Sequence, residues 1–386
     1  IRGRGSERAF KVMSERLIRS GEEIFETLLQ EIESSQVCID FEVYIFTEDE
    51  LATQVFQALK TAARRGVEVR LMVDGVGSLY WSRWAVWEAR AVSNLQVRIY
   101  NPLPWPLSGW LRTDLLRWKQ LQRILKTVNR RNHKKVFLFD QEKALLGSFN
   151  IMRESKESWR ELGLEIQGIG LNALKQAFEI NWRNSLGGDS LFAKPRRVSK
   201  REKMALENSR VLLNTPLSLR RRRHRQQLER IRKARRRVWL CTPYFIPSLG
   251  LMRRLIAKAL RGCDVSLLLP ARMDHAFVLW VARKYLLSLI QSGVKVYQYE
   301  SGPLHAKYSI FDDECVLGSS NLNQRSLKFD LEVDVLLMEA ESRAALESEF
   351  LESLKHSSQL SQESLHQRPW FEKFLGGILS LFQRWM

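Results

Sequence analysis

A chain of 386 residues that is 45% hydrophobic can bury a large core, so its composition excludes a disordered protein and favours two domains or one bilobed unit. Lysine and arginine outnumber acidic residues 62 to 43, and the formal net charge of +19 favours a polyanionic partner, either nucleic acid or an anionic bilayer. No apolar run approaches the roughly 18 residues that span a bilayer, so we do not expect the chain to cross a membrane.

The first half of the chain alternates helical and strand-like patterns. A helical pattern covers residues 21–33 and precedes the run VCIDFEVYIF at 37–46, which is rich in β-branched and aromatic residues. A second predicted strand lies in RGVEVRLMVDG at 65–75, and a third is LQVRIY at 95–100. Helical segments separate these strands, so the first half is expected to form an α/β unit.

The same order returns about 200 residues later. The run VWLCTPYFIP at 238–247 follows a helix-like stretch, RGCDVSLLLPA lies at 261–271, and VKVYQY lies at 294–299. A repeated order of this kind indicates duplication. We therefore predict two α/β lobes with mostly parallel strands, which face each other about a pseudo-twofold axis with a functional cleft between them.

A strongly basic stretch at 193–237 separates the predicted lobes, and parts of it are typical of a linker. The run RRRRHR at 220–225 has two interpretations that the sequence leaves open: a solvated helix face, or a patch that faces phosphate. The predicted boundaries are a first lobe at 1–190, a basic linker at 191–209, a second lobe at 210–350 and an amphipathic tail at 351–386.

Four cysteines are scattered through the chain, and each lies in or beside an apolar run. Their spacing fits no metal-binding cluster, and we expect reduced, buried thiols in a protein that faces the cytosol. These residues are Cys38, Cys241, Cys263 and Cys315.

Each half carries a polar motif directly after the repeated strands. The first stretch reads HKKVFLFDQEKALLGSFN from residue 133, and the second reads HAKYSIFDDECVLGSSN from residue 305. Ordinary composition would produce six residue types at such spacing in about one chain in 10⁵. The matching residues are His133, Lys135, Asp140, Gly147, Ser148 and Asn150 in the first half, and His305, Lys307, Asp312, Gly318, Ser319 and Asn321 in the second.

The spacing of these residues suits phosphate chemistry. Histidine and lysine two positions apart on a strand point to the same face. Each lysine supplies a positive charge and each asparagine an amide donor for a phosphate oxygen, and the Gly-Ser turn allows close backbone approach. Two converging copies would form one site for a single phosphodiester.

The pattern HxK(x)4D(x)6GSxN resembles the HKD motif of the phospholipase D superfamily, and the resemblance covers nearly all of the chain. Within that superfamily, TPYFIP at 242–247, VDGVGS at 73–78 and GSSNLNQRS at 318–326 look like the bacterial cardiolipin synthases. The resemblance implies a duplicated phospholipase D-like α/β/α sandwich, with the active site between two pseudo-symmetric lobes.

The resemblance also implies a double displacement through a phosphohistidine. His133 is expected to be the nucleophile, and His305 the general acid and base. Lys135 and Lys307 would hold the phosphoryl charge without a metal or a cofactor. The other predicted site residues are Asp140 and Asp312 in the catalytic motifs, Ser148, Asn150, Ser319 and Asn321 against the substrate, and Glu161 and Glu332 behind the histidines.

Two kinds of carboxylate are expected in this site. A catalytic imidazole needs a partner that holds its second nitrogen, and the family pattern points to Glu161 and Glu332 for that role. Asp140 and Asp312 belong to the motifs, but we expect them to anchor loops and not to touch the substrate.

The chain departs from the family pattern in three places. One loop residue is missing between Asp312 and Gly318, and LNQRS at 322–326 replaces LDxRS. Asp330 stands where an asparagine is usual. These changes leave both histidines intact and bear on acceptor preference and fine geometry.

Three segments combine tryptophan with aliphatic and basic residues, which favours a lipid substrate over nucleic acid. The insertion before the first motif, at 101–132, and the closing run at 369–386 are predicted to contact a membrane. A third group follows VDGVGS at helical spacing, and a packed core helix is its favoured interpretation. The tryptophans are Trp105, Trp110 and Trp118 in the insertion and Trp81, Trp84 and Trp87 in the third group.

The sequence therefore predicts a phosphatidyltransferase that makes cardiolipin from phosphatidylglycerol, with phosphatidylethanolamine as an alternative donor. The expected partner is an anionic phospholipid membrane, with no obligatory nucleic acid, at the cytoplasmic face of the bacterial inner membrane. Two alternatives would use the same residues: a phospholipase D that hydrolyses phospholipid to phosphatidic acid, and an HKD-type nuclease that acts on DNA. The sequence leaves the oligomeric state open.

Overall fold

The computed structural model describes residues 14–102, 129–168, 170–185, 197–207, 210–272 and 276–366. The tryptophans of the predicted insertion and the closing run at 369–386 lie outside these residues. The two halves of the chain fold as two lobes, and each lobe is built around one large sheet.

The first lobe has a seven-stranded sheet with helices packed on it. Its helices are α1 (Gly21–Ser34), α2 (Glu50–Arg64), α3 (Leu79–Ala89), α4 (Arg153–Glu157) and α5 (Leu171–Asn184). Its strands are β1 (Ser14–Ile18), β2 (Cys38–Val43), β3 (Glu68–Asp74), β4 (Leu95–Tyr100), β5 (Val136–Phe139), β6 (Lys143–Gly147) and β7 (Gly163–Gln167). Helix α1 begins after the cap Ser20, and its apolar residues Ile24, Leu28 and Ile32 recur at helical spacing and are fully buried.

The second lobe follows α6 (Lys200–Leu206) and contains an eight-stranded sheet. Its helices are α7 (Leu217–Lys233), α8 (Leu249–Ala259), α9 (Ala276–Gln291), α10 (Gln324–Lys328), α11 (Ala340–Lys355) and α12 (Gln362–His366). The strands of this sheet are β8 (Val211–Leu213), β9 (Arg237–Cys241), β11 (Asp264–Pro270), β12 (Lys295–Tyr299), β13 (Tyr308–Phe311), β14 (Glu314–Gly318), β16 (Val333–Leu336) and β17 (Ser357–Gln359). Strands β10 (Phe245–Ile246) and β15 (Leu322–Asn323) form a separate two-stranded sheet.

The two sheets have the same strand order, which confirms the duplication. The first sheet runs β1-β7-β6-β5-β2-β3-β4, and the second runs β8-β16-β14-β13-β9-β11-β12 with β17 added at its edge. The motif strands β5 and β13 occupy equivalent central positions. The pseudo-twofold relation predicted from the repeats is therefore a property of the fold.

Only part of each sheet is parallel, which corrects the expectation of mostly parallel strands. Strands β2, β3 and β4 pair in parallel, as do β9, β11 and β12. Strands β5 and β6 are antiparallel, and so are β13 and β14, because the turns at 140–142 and 312–313 are too short for a crossover helix. The residue missing from the second motif belongs to this turn, away from the histidine.

Three large apolar clusters form the core, and one of them joins the lobes. One lies under α1, α2 and α3 on the first sheet, and another lies under α7, α8 and α9 on the second. The third is shared, because Val136 and Leu138 of β5 belong to the same cluster as Tyr308 and Ile310 of β13. Helices α5 and α11 also contribute to this shared core. The lobes therefore pack as one body, and the positions of the two motifs are fixed relative to each other.

The element bounds refine the predicted domain limits. Helix α6 lies within the predicted linker at 191–209 and packs against α5. Helix α11 runs through the predicted limit at residue 350, and β17 still pairs with β12. The second lobe therefore continues to at least Gln359.

The four cysteines are buried and free of disulfides, as the sequence predicted. Within the described ranges, no helix has both the length and the apolar character needed to cross a bilayer.

Candidate active site

The two histidine motifs meet at the boundary between the lobes. His133 and His305 lie just before β5 and β13, and the backbone there is hydrogen-bonded to the opposite lobe. The N–H of His133 donates to the carbonyl of Leu331 at 3.0 Å, and the N–H of His305 donates to the carbonyl of Arg160 at 3.0 Å. Each histidine is thus fixed beside the segment that carries the glutamate of the other lobe.

The histidines and glutamates pair across the lobes. His133 Nδ1 lies 3.2 Å from Oε2 of Glu332, and His305 Nδ1 lies 2.7 Å from Oε1 of Glu161. Both glutamates are 1% exposed. Contact with an imidazole is the geometry expected of orienting carboxylates. The crossing was not visible in the sequence, because either glutamate could have served either histidine.

The groups around Nδ1 define the tautomer of each neutral imidazole. His133 Nδ1 faces the carboxylate of Glu332 and the carbonyl oxygen of Ser319, at 3.2 Å each. Both partners accept hydrogen bonds and neither donates, so Nδ1 carries the proton. Glu161 imposes the same tautomer on His305. In each ring, Nε2 is left with the lone pair that can act as nucleophile or base.

Both glutamates are ionised at neutral pH. Burial opposes the charge on Glu332, but His133 and Lys135 hold its pKa at about 2. Burial likewise opposes the charge on Glu161, and the neighbouring His305 lowers the pKa of that carboxyl. Each imidazole therefore has an anion behind it, which stabilises any imidazolium formed during turnover.

Burial lowers the pKa of both motif histidines, His133 and His305, to about 4. Lys135 reinforces the effect at His133, whereas at His305 the carboxylate of Glu161 opposes it and Lys307 reinforces it. Both imidazoles are therefore neutral at pH 7 in the free site. The neutral form suits a nucleophile, and an anionic substrate would raise the proton affinity of the ring that acts as an acid.

Two buried lysines form the cationic floor of the site. Lys135 is fully buried and Lys307 is 2% exposed. Lys135 Nζ donates to the carbonyl of His133 at 2.7 Å, and Lys307 Nζ donates to that of His305. Burial and the nearby charge of Lys307 lower the pKa of Lys135 to about 7. The effect of Lys307 on the pKa of Lys135 indicates that the two lysines lie close together, where a phosphodiester would offset their repulsion.

We expect kcat/KM for a p-nitrophenyl phosphodiester, whose leaving group departs without a proton, to rise with pH through about 4 and to fall through about 7. The rise reflects proton loss from His133, because only the neutral imidazole can attack phosphorus. The fall reflects proton loss from Lys135, because the charged form that holds phosphate is present below its pKa and lost above it. A pH–rate profile of the wild type and of Lys135→Arg measures both limbs.

Arginine stays charged to high pH, so in Lys135→Arg the pH at which kcat/KM falls should rise by more than about two units. Lys135 is surrounded by Lys307, Glu161, Glu332 and Asp330. Asp330→Asn is the control, because burial also raises the pKa of this carboxyl to about 7. If the pH at which kcat/KM falls changes in Asp330→Asn but not in Lys135→Arg, the fall does not reflect proton loss from Lys135.

Ser148 and Ser319, predicted to contact substrate, instead hold the glutamates. Ser148 Oγ donates to the carboxylate of Glu161, and Ser319 Oγ donates to that of Glu332 at 2.6 Å. Each hydroxyl also accepts a hydrogen bond from the backbone N–H that follows its glutamate. Both serines are fully buried. Their hydroxyls are used within the protein, so we revise their role to positioning residues.

The motif asparagines differ between the lobes. Asn150 is 1% exposed, and its Oδ1 accepts a hydrogen bond from the N–H of Ile45 at 3.2 Å. Asn321 Oδ1 is buried and has no partner among the described residues. Contact between these amides and phosphate remains a proposal. The pseudo-symmetry of the histidines does not extend to this part of the site.

The motif aspartates lie at the ends of β5 and β13 that are remote from the histidines. Asp140 accepts hydrogen bonds from the N–H groups of residues 36–38 at 2.7 to 3.0 Å. Asp312 does the same for residues 235–237 at 2.8 to 3.0 Å. These carboxylates anchor the starts of β2 and β9 to the hairpin turns. The anchoring role expected from the sequence fits this geometry, and the contacts remove both aspartates from the catalytic set.

Asp140→Asn is expected to lower the free energy of unfolding by about 1 to 3 kcal/mol, because charge-assisted hydrogen bonds to backbone N–H groups are weakened. Activity at 25 °C should change by less than about twofold, since Asp140 touches none of the reacting groups. Urea unfolding and initial rates measure the two effects, with Asp312→Asn as the matched variant. A large loss of activity at unchanged stability would return Asp140 to the catalytic set.

Buried carboxylates that the sequence analysis missed position the first motif. Glu42 accepts hydrogen bonds from the side chains of Asn132 and Lys134 at 2.8 Å. Asp74 accepts from the N–H of Asn132 at 2.8 Å. Both carboxylates lie within apolar strands, β2 and β3, where a charged residue needs a buried partner. That placement was the signal that could have identified them.

Each orienting glutamate also contacts a serine from a short helix. Ser155 of α4 donates to Glu161 at 3.2 Å, and Ser326 of α10 donates to Glu332 at 2.7 Å. Asn214 Oδ1 accepts the N–H of Glu332 at 2.8 Å. These contacts fix the orientation of the carboxylates. Ser155 and Asn214 lie outside the motifs, so the sequence carried no signal for them.

Two departures from the family pattern are now explained locally. Asn323 caps α10, since its Oδ1 accepts the N–H of Ser326 at 2.9 Å, a role that aspartate also performs. Asp330 is 4% exposed, and its carboxylate lies 3.0 Å from Nε of Arg325. The unusual aspartate is thus paired with an arginine of the LNQRS run.

An apolar opening lies above His305. The Trp159 ring is 4.7 Å from the imidazole of His305, and Tyr44 is 4.9 Å from that of His133, both between ring centroids. The opening has a volume of about 310 Å³. Its walls are formed by Trp159, Pro243, Tyr244, Pro270, Arg272, Pro303 and Leu304. A mostly hydrocarbon wall with one cation suits the glycerol and acyl parts of a phospholipid.

The tryptophans of α3 divide between core and surface. Trp81 is 3% exposed and stacks on Phe46 at 3.9 Å, as the core interpretation expected. Trp84 and Trp87 are 45% and 65% exposed, and Tyr80 is 85% exposed. The core interpretation was wrong for these outer positions, which form an aromatic surface on the first lobe.

The basic run at 220–225 lies on α7 and is divided between the surface and the interior of the second lobe. Arg221, Arg222 and Arg225 are exposed, as a solvated helix face requires. Arg220 is 8% exposed and points into the second lobe. The sequence left the two interpretations open because the run covers more than one face of the helix.

Comparison with known proteins agrees with this geometry. A family model described as "Cardiolipin synthase, PLD-like domain" matches residues 28–182 and 228–354. A cardiolipin synthase of Clostridium perfringens is 28% identical over 371 residues, which is 93% of this chain and 74% of that protein. A cardiolipin synthase of Geobacillus sp. strain WCH70 is 29% identical over 364 residues, 92% of this chain and 68% of that protein.

Solved structures share the fold. A phosphatidylserine synthase of Haemophilus influenzae superposes with a TM-score of 0.70 and covers 96% of this chain and 95% of its own. Its sequence identity is 13%, so the likeness supports the duplicated fold and not a shared substrate.

Proposed function

Because the chain belongs to the cardiolipin synthase family of proteins with phospholipase D-like domains, we propose that it transfers a phosphatidyl group from one phosphatidylglycerol molecule to another. The products are cardiolipin and glycerol. His133 and His305 act in two successive displacements at the surface of an anionic membrane.

The crossed pairing of two histidines and two glutamates around two buried lysines carries this proposal. Each imidazole has Nδ1 held by an anion and Nε2 available, which is the preparation needed for one nucleophile and one acid–base group. The apolar opening above His305 supports a lipid substrate. A nucleic-acid strand would require a cationic track in its place.

In the first displacement, Nε2 of His133 attacks phosphorus of the donor, and the bond from phosphorus to the headgroup oxygen breaks. His305, which takes up a proton when the anionic donor binds, delivers that proton to the headgroup oxygen, so glycerol leaves as a neutral alcohol. The phosphatidyl group remains on His133 as a phosphohistidine. Lys135 and Lys307 hold the charge on the equatorial oxygens.

In the second displacement, His305 takes the proton from a hydroxyl of the acceptor, and the resulting oxygen attacks phosphorus. The bond to His133 breaks, and the free imidazole is restored. Water in place of the lipid hydroxyl would give phosphatidic acid. Transfer therefore depends on keeping water away from the phosphohistidine, a condition that an apolar opening pressed against a bilayer supports.

We further propose that no metal takes part, since Lys135 and Lys307 already supply two positive charges to one phosphodiester. The decisive experiment incubates pure protein with phosphatidylglycerol vesicles in a chelator and identifies products by mass spectrometry. Cardiolipin and glycerol, both lost in His133→Ala and His305→Ala, are the expected result. Phosphatidic acid alone would mean hydrolysis, and activity only after addition of a divalent ion would remove the metal-independent mechanism.

Membrane association follows from the family and is supported by the aromatic surface of α3. Side chains with an apolar body and a polar edge, such as Trp84, Trp87 and Tyr80, suit the headgroup interface. The net charge of +19 favours anionic lipid. We propose that the chain works at the cytoplasmic face of the bacterial inner membrane.

The double variant Trp84→Ser, Trp87→Ser should weaken binding to anionic vesicles by about tenfold or more, because each half-exposed indole can bury on the order of 100 Å² of apolar surface in the interface. Thermal unfolding should shift only modestly, since Trp87 is 65% exposed and Trp84, which packs against Phe56 and Trp81, is 45% exposed. Leu260→Ser is the matched control, an exposed apolar residue of the second lobe. Equal co-sedimentation of the wild type and the double variant would remove α3 from the membrane surface.

A further inference from the structure

The two lobes differ in the side chains that lie between the motif strand, β5 or β13, and the helix that packs on it, α1 or α7. In the first lobe, α1 packs on β5 through aromatic rings. Phe25 lies 5.9 Å from Phe149, and Phe137 lies 5.4 Å from Phe149, measured between ring centroids. All three rings are at most 1% exposed. The space between helix and strand is therefore filled with hydrocarbon.

Helix α7 is the counterpart of α1 in the second lobe. Each helix ends just before the backbone N–H groups that a motif aspartate binds, Asp140 in the first lobe and Asp312 in the second. The last fully buried residue of α1 is Ile32 and that of α7 is Ile231, which lies 199 positions later. The same separation places His224 at the position of Phe25.

The motifs complete the correspondence. Ser309 lies four residues after His305, just as Phe137 lies four residues after His133. Ser320 comes directly after Ser319, just as Phe149 comes directly after Ser148. Three packed phenylalanines of the first lobe are thus represented by a histidine and two serines in the second. A substitution of this kind exchanges an apolar core for a polar space.

A cavity of about 70 Å³ occupies this space between α7 and strands β13 and β14. That volume exceeds the roughly 30 Å³ share of one water molecule, so the cavity can hold a group larger than water. It extends to Lys307 of the second motif. The polar side chains around it include Arg220, His224, Gln227, Ser309, Ser320 and Asn321.

Arg220 is the main cation of this cavity. It is 8% exposed, and its Nε and Nη2 donate to the backbone carbonyls of Asn214 and Asp330 at 3.3 and 2.8 Å. Its Nη1 is buried and meets no acceptor in the described part of the chain. Burial and neighbouring arginines lower the pKa of Arg220 to about 10, so the guanidinium stays charged at neutral pH.

Three other polar atoms at the cavity wall are also buried without a hydrogen-bond partner among the described residues. They are His224 Nδ1, Ser320 Oγ and Asn321 Oδ1. A buried polar group without a partner is costly, and a cluster of such groups around one space indicates a missing ligand.

The charges define the sign of that ligand. Arg223 and Arg230 also line the cavity, but they pair with Asp334 and with Glu314. Asp330 and Glu332 attract Arg220 from a distance, but Arg220 forms no ion pair with a carboxylate among the described residues. An anion with several oxygen acceptors would satisfy Arg220 and the serine hydroxyls together.

We propose that this cavity is a phosphate-binding site next to the catalytic centre, and that it receives the phosphate group of the acceptor lipid. The second part rests on the proposed function, because cardiolipin formation needs an acceptor that itself carries a phosphodiester. The cavity contains Lys307, two residues from His305. A glycerol headgroup held by its phosphate there has a hydroxyl three carbons away, and the proposal places that hydroxyl at the general base.

The test of the site is phosphate binding. In chelator at pH 7, titration calorimetry with inorganic phosphate should find two sites per chain, one at the catalytic lysines and one in the cavity. His224→Phe, which restores the residue of the first lobe, and Arg220→Gln should each leave one site. Arg225→Gln, an exposed charge on the same helix, should keep two. Two sites in both cavity variants, or one in the wild type, would overturn the proposal.

A second experiment compares two acceptors to test whether the cavity binds the phosphate group of the acceptor lipid. His224→Phe should raise the KM for phosphatidylglycerol as acceptor by about tenfold or more, and should leave exchange with labelled glycerol, which has no phosphate, within about twofold. Loss of the second phosphate site with both reactions unchanged would assign the cavity to free phosphate instead of the lipid headgroup. Equal loss of both reactions would show that the cavity shapes the catalytic centre, which would overturn the assignment to the acceptor.

Calorimetry does not depend on turnover. A chain that binds two phosphate ions but makes no cardiolipin would contradict the proposed function and leave the cavity site in place. Melting temperatures of the two cavity variants verify folding, and filling the cavity with phenylalanine should not lower the melting temperature.

Discussion

Replacement of His133 by asparagine is expected to lower the rate of cardiolipin formation by at least about 10⁴-fold and to remove the covalent intermediate. Nδ1 of His133 is held by Glu332, so Nε2 has the lone pair for the proposed attack on phosphorus. Asparagine retains a polar side chain but has no nucleophilic nitrogen. The measurement is rapid quenching after mixing with phosphatidylglycerol labelled in its phosphate, followed by detection of label on the protein.

His305→Asn is the matched variant, because its defect lies in proton transfer. With a p-nitrophenyl phosphodiester, whose leaving group departs without a proton, this variant should still form the phosphohistidine. The intermediate should then persist, because no base activates the acceptor. Label on His133→Asn and none on His305→Asn would reverse the two roles and make His305 the nucleophile.

Glu332→Gln is expected to slow the attack on phosphorus by about 10² to 10⁴-fold, although Glu332 and His133 belong to different lobes. Glutamine cannot carry the negative charge that stabilises the histidine during attack. It can also donate its amide hydrogens to Nδ1, which would favour the other tautomer and leave Nε2 without a lone pair. The measurement is the single-turnover rate of phosphohistidine formation from the p-nitrophenyl substrate.

Glu161→Gln is the control that makes the crossing testable. Its partner is His305, so it should form the phosphohistidine at nearly the wild-type rate and be slow in the transfer to the acceptor. An uncrossed arrangement predicts the opposite, with Glu161 needed for attack and Glu332 for transfer. Thermal unfolding of both variants separates these effects from loss of structure, because both carboxylates are buried.

The crossed pairs make each catalytic unit a product of both lobes. His133 depends on Glu332, and His305 depends on Glu161. The backbone hydrogen bonds on either side of the histidines and the shared apolar core hold these partners in register. A single lobe contains a histidine and a glutamate but no complete pair. Duplication is therefore part of the chemistry, since the site exists only where the lobes meet.

The sequence by itself determined the duplicated architecture and singled out the two histidine motifs. Strand runs that repeat after about 200 residues and two histidine motifs with the same spacing are local patterns, and local patterns are readable without a fold. The anchoring role expected for Asp140 also fits the structure, because a short polar residue at a hairpin turn has few other functions.

The tertiary structure alone decided which groups touch. The crossing of Glu332 to His133 joins residues that are 199 positions apart, and the hydroxyl of Ser319 faces a carboxylate instead of the substrate. The cavity beside Arg220 arises because α7 meets the second sheet through polar side chains where α1 meets the first through phenylalanine. Such facts depend on the packing of lobes and helices, and spacing along a chain carries no information about which of two equivalent partners lies nearest.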